Sequence, residues 1–109
     1  MSGYYSFNVA DGLIKKKLSS VQFDFDNKTV FSRNVKDTDN IITIDLSDLE
    51  IVKTVLVAST KEITLTLNGV GISITNFLFM EVSTLTSLTV ACSNAEGSQV
   101  EMVIWGVNS

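Results

Sequence analysis

The chain contains no histidine and no proline, and it has a single cysteine, Cys92, in 109 residues. Without histidine, Ser-His-Asp and Cys-His arrangements have no general base. A zinc site would have one thiolate at most and no imidazole. One cysteine cannot close an intrachain disulfide, which fits synthesis in a reducing cytosol. Cys92 alternates onto the face of Leu88 and Val90, where a thiol packs as a small hydrophobe. A reactive thiolate would want a histidine partner.

Positive charge is also scarce. Eight Lys and Arg stand against twelve Asp and Glu, for a net charge of −4. That balance gives no field to attract nucleic acid or an acidic membrane. The cluster Lys15-Lys16-Lys17 is shorter than the basic runs that mark phosphate-binding patches and reads as a solvated edge or loop. The start of the chain shows no basic region followed by an apolar core, and no apolar stretch approaches a bilayer span. The expectation is a protein made in the cytosol, with no nucleic-acid and no membrane partner.

What is present is alternation. Val21, Phe23 and Phe25 interleave with Gln22, Asp24 and Asp26, and Ile63, Leu65 and Leu67 interleave with Thr64, Thr66 and Asn68. Successive side chains of a strand point to opposite faces, so this period of two places one face on a core and the other in water. The hydrophobic fraction is 45% and the mean hydropathy +0.30, high for sheets buried on one side only. Either some strands are covered on both faces, or an apolar patch is left for a partner.

Residues 1–20 read as an N-terminal arm or edge segment, with Tyr4, Tyr5, Phe7 and Val9 apolar, a turn at Asp11-Gly12, and Leu13, Ile14 and Leu18 around the lysines. Residues 21–109 read as one domain. Its strands fall near Val21–Phe25, Thr29–Val35, Ile41–Leu46, Ile51–Ala58, Ile63–Asn68, Ile72–Thr75, Phe77–Val82, Leu88–Ser93 and Val100–Trp105. Turn signals recur every ~8–12 residues, the spacing of a sandwich or barrel with about eight strands. Ser47-Asp48-Leu49-Glu50 has capping-box spacing, but the β-branched run after it favours a strand, so it reads as a tight turn. Asn68-Gly69 is a strong hairpin signal.

Asp24 and Asp26 lie on a polar strand face, and Asp37 and Asp39 in a loop, so they read as solvated acids. Each pair places oxygens at i and i+2, but the fifth position of a calcium loop would fall on Lys28 or Ile41, neither a ligand. The sequence predicts no catalytic residue, no cofactor and no metal. Carbohydrate binding, with Trp105, Tyr4 and Tyr5 as stacking platforms, is the alternative function. An interface explains more of the chain. Val103 and Trp105 oppose Val100, Met102 and Ile104 on the last strand, and Leu78, Met80 and Val82 oppose Phe77 and Phe79. Strands apolar on both sides need a second cover, and Trp and Met are favoured interface residues. The candidate interface residues are Tyr4, Tyr5, Phe7, Val103 and Trp105.

The cadence Leu65-Thr66-Leu67-Asn68-Gly69-Val70, Phe77-Leu78-Phe79, Leu88-Thr89-Val90 and Val100–Gly106 resembles the small, jelly-roll-like β-sandwich structural proteins of tailed-bacteriophage virions. The resemblance covers roughly residues 41–106 and has no site motif, so no functional residue is carried over. It implies an antiparallel, jelly-roll-like sandwich that serves as capsid decoration (cement), neck or tail component. It also implies a homo-oligomer, commonly a trimer or ring, bound to other virion structural proteins, located in the particle and performing no chemistry.

Overall fold

The computed structural model describes the backbone of residues 2–10, 15–82 and 84–108, and the side chains of residues 3–4, 25–82 and 84–107. The turn expected at Asp11-Gly12, with Leu13 and Ile14, lies outside the described residues. The strands are β1 (Ser2–Ala10), β2 (Lys15–Asp24), β3 (Asn27–Val35), β4 (Ile42–Thr43), β5 (Leu49–Ser59), β6 (Ile63–Leu67), β7 (Val70–Ile74), β8 (Phe77–Glu81), β9 (Leu88–Ala91) and β10 (Ser98–Asn108). A 3-10 turn covers Asp37–Asp39, inside the loop expected there. Ser47-Asp48 is a turn, and the strand begins at Leu49.

The last eight strands form two four-stranded sheets, in the orders β3-β10-β5-β8 and β4-β9-β6-β7, with antiparallel pairing throughout. β3 pairs with β10, β4 with β9, β5 with β8 and β6 with β7. These nested pairs describe one long hairpin whose tip is the β6–β7 turn. Bending the hairpin on itself brings β10 beside β5 and β9 beside β6. That is the connectivity of a jelly roll. At the tip, Asn68 and Gly69 have φ of 50° and 85°, the paired positive values of a type I′ turn, whose twist suits two-residue hairpins.

The core lies between the sheets. Val55, Val57, Val100, Met102 and Ile104 enter from one sheet and Leu65, Leu88 and Val90 from the other, each 0–1% exposed. Cys92 is buried at the rim of this core, its Sγ 3.6 Å from the Glu62 carbonyl oxygen and 3.4 Å from the Asn94 nitrogen. Near one end of β10, Gly106 passes so close to the Ile51 carbonyl of β5 that a Cβ would collide with it. The pairing of β10 with β5 shifts register at that residue.

Among the described residues β1 and β2 pair only with each other, as a two-stranded antiparallel ribbon. The expected boundary at residue 20 falls inside β2, and the two larger sheets begin at Asn27. Val21–Phe25, read from its alternation as a strand of the sandwich, supplies most of the second half of β2, opposite Ser2–Tyr5. The lysines are in the same strand, facing Asn8, Val9 and Ala10.

Candidate functional site

β10 positions the two sequence-predicted residues that the structure brings together. Its even-numbered residues Val100, Met102 and Ile104 are buried in the core, so Glu101, Val103 and Trp105 fall on the outer face of the sheet. Register then assembles a row across all four strands. Val103 stands opposite Val30 of β3 and Leu56 of β5, and Leu56 stands opposite Phe79 of β8. Every member of this row is apolar. In the next row Trp105 lies between Lys28 and Thr54, and on the other side Glu101 and Ala58 lead to Phe77.

The face is graded in exposure. Val30 is 62% and Phe77 52% exposed, while Val103, Leu56, Phe79 and Trp105 are half-buried. Trp105 meets the ring of Phe25 edge-on, with centroids 6.3 Å apart and planes at 60°, a favoured aromatic geometry. Thr54, its neighbour in register, is only 1% exposed although it belongs to this outer face. Phe77 and Phe79 do oppose Leu78 and Met80, as the alternation predicts: the register pairs the latter two with core residues Val57 and Val55.

The other three sequence-predicted residues sit in the ribbon. Tyr4 is on β1 and 64% exposed. Tyr5 and Phe7 are on the same strand, and their side chains lie outside the described residues. Sequence reasoning missed Val30, Leu56 and Phe79 as members of the face. Leu56 and Phe79 sit in stretches already read as apolar on both sides. Val30 gave no comparable signal, because its neighbours on the outer face of β3, Lys28 and Ser32, are polar.

A cleft of about 520 Å³ opens at one end of the sandwich, lined by residues including Asp45, Ser47, Glu50, Leu85, Thr86 and Ser87. Asp45 accepts the Ser47 backbone N–H at 2.9 Å, and hydrogen bonding from Ser47 holds its carboxyl below the usual range. A carboxylate stabilised in this way is a turn anchor, opposite in tendency to a general acid. Asp39, one of the acids considered for calcium, is engaged with Arg33 at 3.2 Å and with the Lys36 backbone N–H at 2.8 Å. Among the described residues no group of three or more His, Cys, Asp or Glu is arranged to hold a metal ion, and no helix is long and apolar enough to cross a membrane.

No family model matches the chain, and no curated protein matches it.

Proposed function

We propose that this protein is a non-enzymatic structural subunit of a tailed-bacteriophage virion, a decoration, neck or tail component that works through protein–protein contacts. The observation that carries the reading is the apolar row Val30–Val103–Leu56–Phe79 on the outer face of the four-stranded sheet, flanked by Trp105 and Phe77. A two-layer sandwich has one interior, and here that interior is already filled by the other side of the same strands. An apolar band on the outside is the usual mark of an interaction surface. The jelly-roll connectivity supports the reading because rigid rolls of this kind build viral capsids, although they build lectins as well. The particle reading itself rests on the resemblance of the sequence. Partners are other virion proteins and further copies of the chain, and repetition in an assembly multiplies weak contacts through effective concentration.

The test is quantitative mass spectrometry of purified particles from the cells that encode the chain. Recovery in fixed copy number relative to the major capsid protein is expected. Its absence from particles, or specific glycan binding by the isolated domain, would overturn the reading in favour of a carbohydrate- or cell-surface-binding module.

A further inference from the structure

We infer that β3 is a self-pairing edge, through which two copies join into one continuous eight-stranded sheet with Val30 facing Val30 of the second copy across a two-fold axis. The inference goes beyond the assembly reading above, because it names the partner, the edge and the register.

Hydrogen-bond direction shows which groups the edge offers. On β10, the Gln99 N–H donates to Thr60 Oγ1 and the Gln99 carbonyl accepts from the Thr60 N–H, so odd-numbered β10 residues bond toward the β5 side. Even-numbered β10 residues therefore bond toward β3. In the register that sets Val103 opposite Val30, the odd-numbered residues of β3 are the ones bonded to β10. The even-numbered residues Lys28, Val30, Ser32 and Asn34 direct their backbone N–H and C=O away from the sheet. Two side-chain contacts agree: the Lys28 N–H bonds Asn27 Oδ1 at 2.9 Å, and the Asn34 carbonyl accepts Arg33 Nε at 3.4 Å. Between them, Val30 and Ser32 present a ladder with no strand beside it among the described residues.

Of the devices by which sheets avoid edge pairing, this edge has charge at Lys28 and Arg33 but is neither short nor broken by proline or a bulge. The chain has no proline, and the register of β3 on β10 runs from Asn27 to Val35 without a bulge. β3 has nine residues, against five for the edge strands β7 and β8 and two for β4.

Self-complementarity selects the register. A two-fold axis normal to the sheet pairs residues of like face, and each permitted position of the axis gives a different set of partners. An axis at Lys28 opposes two ammonium groups. An axis at Val30 places Lys28 opposite Ser32 and Asn27 opposite Arg33, with no like charges facing. It also joins the two apolar rows end to end, so that Phe79–Leu56–Val103–Val30 continues into its own copy. Val30, 62% exposed in one copy, gains an apolar neighbour on its open flank in the pair.

Cysteine cross-linking in a Cys92→Ala background tests the register, alongside light scattering of the native protein over a concentration series. Directly opposed hydrogen-bonded residues lie about 5.5 Å apart at Cα, within disulfide reach. Two copies of residue 32 would be offset by about 13 Å along the strand, beyond it. Val30→Cys is expected to cross-link at least tenfold more than Ser32→Cys, and a mixture of Lys28→Cys with Ser32→Cys should cross-link into heterodimers. The native mass should approach twice that of the chain, and Val30→Lys should return it to one while the far-ultraviolet circular dichroism stays that of the folded protein, the thermal midpoint falling only by what pairing had contributed and losing its dependence on concentration. A native monomer at every concentration, or Ser32→Cys cross-linking as readily as Val30→Cys, would overturn the inference. The particle measurement above separates the two readings: a chain recovered in particles yet monomeric in solution overturns this inference alone, and a dimer cross-linked at Val30 but absent from particles overturns the assembly reading alone.

Discussion

Asn68 Oδ1 accepts the backbone N–H of Thr86 at 2.8 Å, and the same atom takes the Ser87 N–H at 3.1 Å. The Asn68 amide nitrogen donates to the Thr84 carbonyl at 2.7 Å. One side chain at the hairpin tip thus holds the segment that leads into β9. Its backbone is held too, because the Asn68 N–H donates to the Ser87 carbonyl at 2.9 Å. The tip of the roll and the β8–β9 connection are fastened together at this point.

Asn68→Gly keeps the left-handed backbone and removes the side-chain bonds, so it isolates their contribution. A loss of about 1–2 kcal/mol in urea unfolding is expected, the scale of two or three partly solvated hydrogen bonds. Asn68→Asp retains the acceptor but not the donor and should fall between the two proteins. Hydrogen exchange should accelerate at Thr86 and Ser87 in Asn68→Gly. Unchanged exchange there would show that the backbone bond alone holds the segment.

Gly106→Ala should be more damaging than its chemistry suggests. The added methyl meets the Ile51 carbonyl, which belongs to a paired strand and cannot move without opening the β5–β10 ladder. Overpacking of this kind costs about 1–3 kcal/mol. Trp105 is the adjacent residue, so its fluorescence should report local opening as a red shift. A variant with native stability and an unshifted spectrum would mean that the two strands separate there at little cost.

Several of these features were legible in the chain. Asn68-Gly69 named its own turn, because few other pairs accept positive φ at both positions. The strands of the sandwich showed themselves where one face is buried, as in Ile63–Leu67. The two-sided character of Val55–Val57 and of Phe77–Met80 reflected a core on one side and the apolar row on the other. The pairing partners were not legible. Val21–Phe25 alternates just as a sandwich strand does, yet β2 pairs with β1, and nothing local distinguishes the two outcomes. Val30 was missed for a similar reason: its importance comes from register with Val103, which is set by contacts more than seventy residues apart.

The Asp45 carboxyl gives stability a weak acid dependence. Its folded value lies below the ordinary 3.8 because Ser47 hydrogen-bonds the ionised form. The contribution is fully present above the unfolded value and is lost as pH falls toward the folded one. Asp45→Asn should therefore track the parent at pH 2 and be the less stable of the two at pH 6, measured as urea midpoints. The group is exposed, so the difference should be small and confined to the acid limb. Equal midpoints at both pH values would show that the Ser47 turn is held by its backbone alone.

Trp105 separates folding from assembly. It lies on the outer face, half-buried, with its ring against Phe25, whereas its neighbour Ile104 is fully buried in the core. Truncating a buried residue of that kind typically costs about 2–5 kcal/mol, so Ile104→Ala should lower the unfolding midpoint strongly. Trp105→Ala should cost about 1–2 kcal/mol, an aromatic pair and part of a packed surface. Its effect on incorporation into particles should be larger, at least tenfold, because aromatic anchors at interfaces carry a disproportionate share of binding. The comparison is made on particles assembled with a mixture of tagged native and variant chains at a temperature where both are folded. If Trp105→Ala instead unfolds the chain as severely as Ile104→Ala and incorporates normally wherever it is folded, then the ring belongs to the packing of the monomer, and the docking surface must be sought along Val30, Val103 and Leu56.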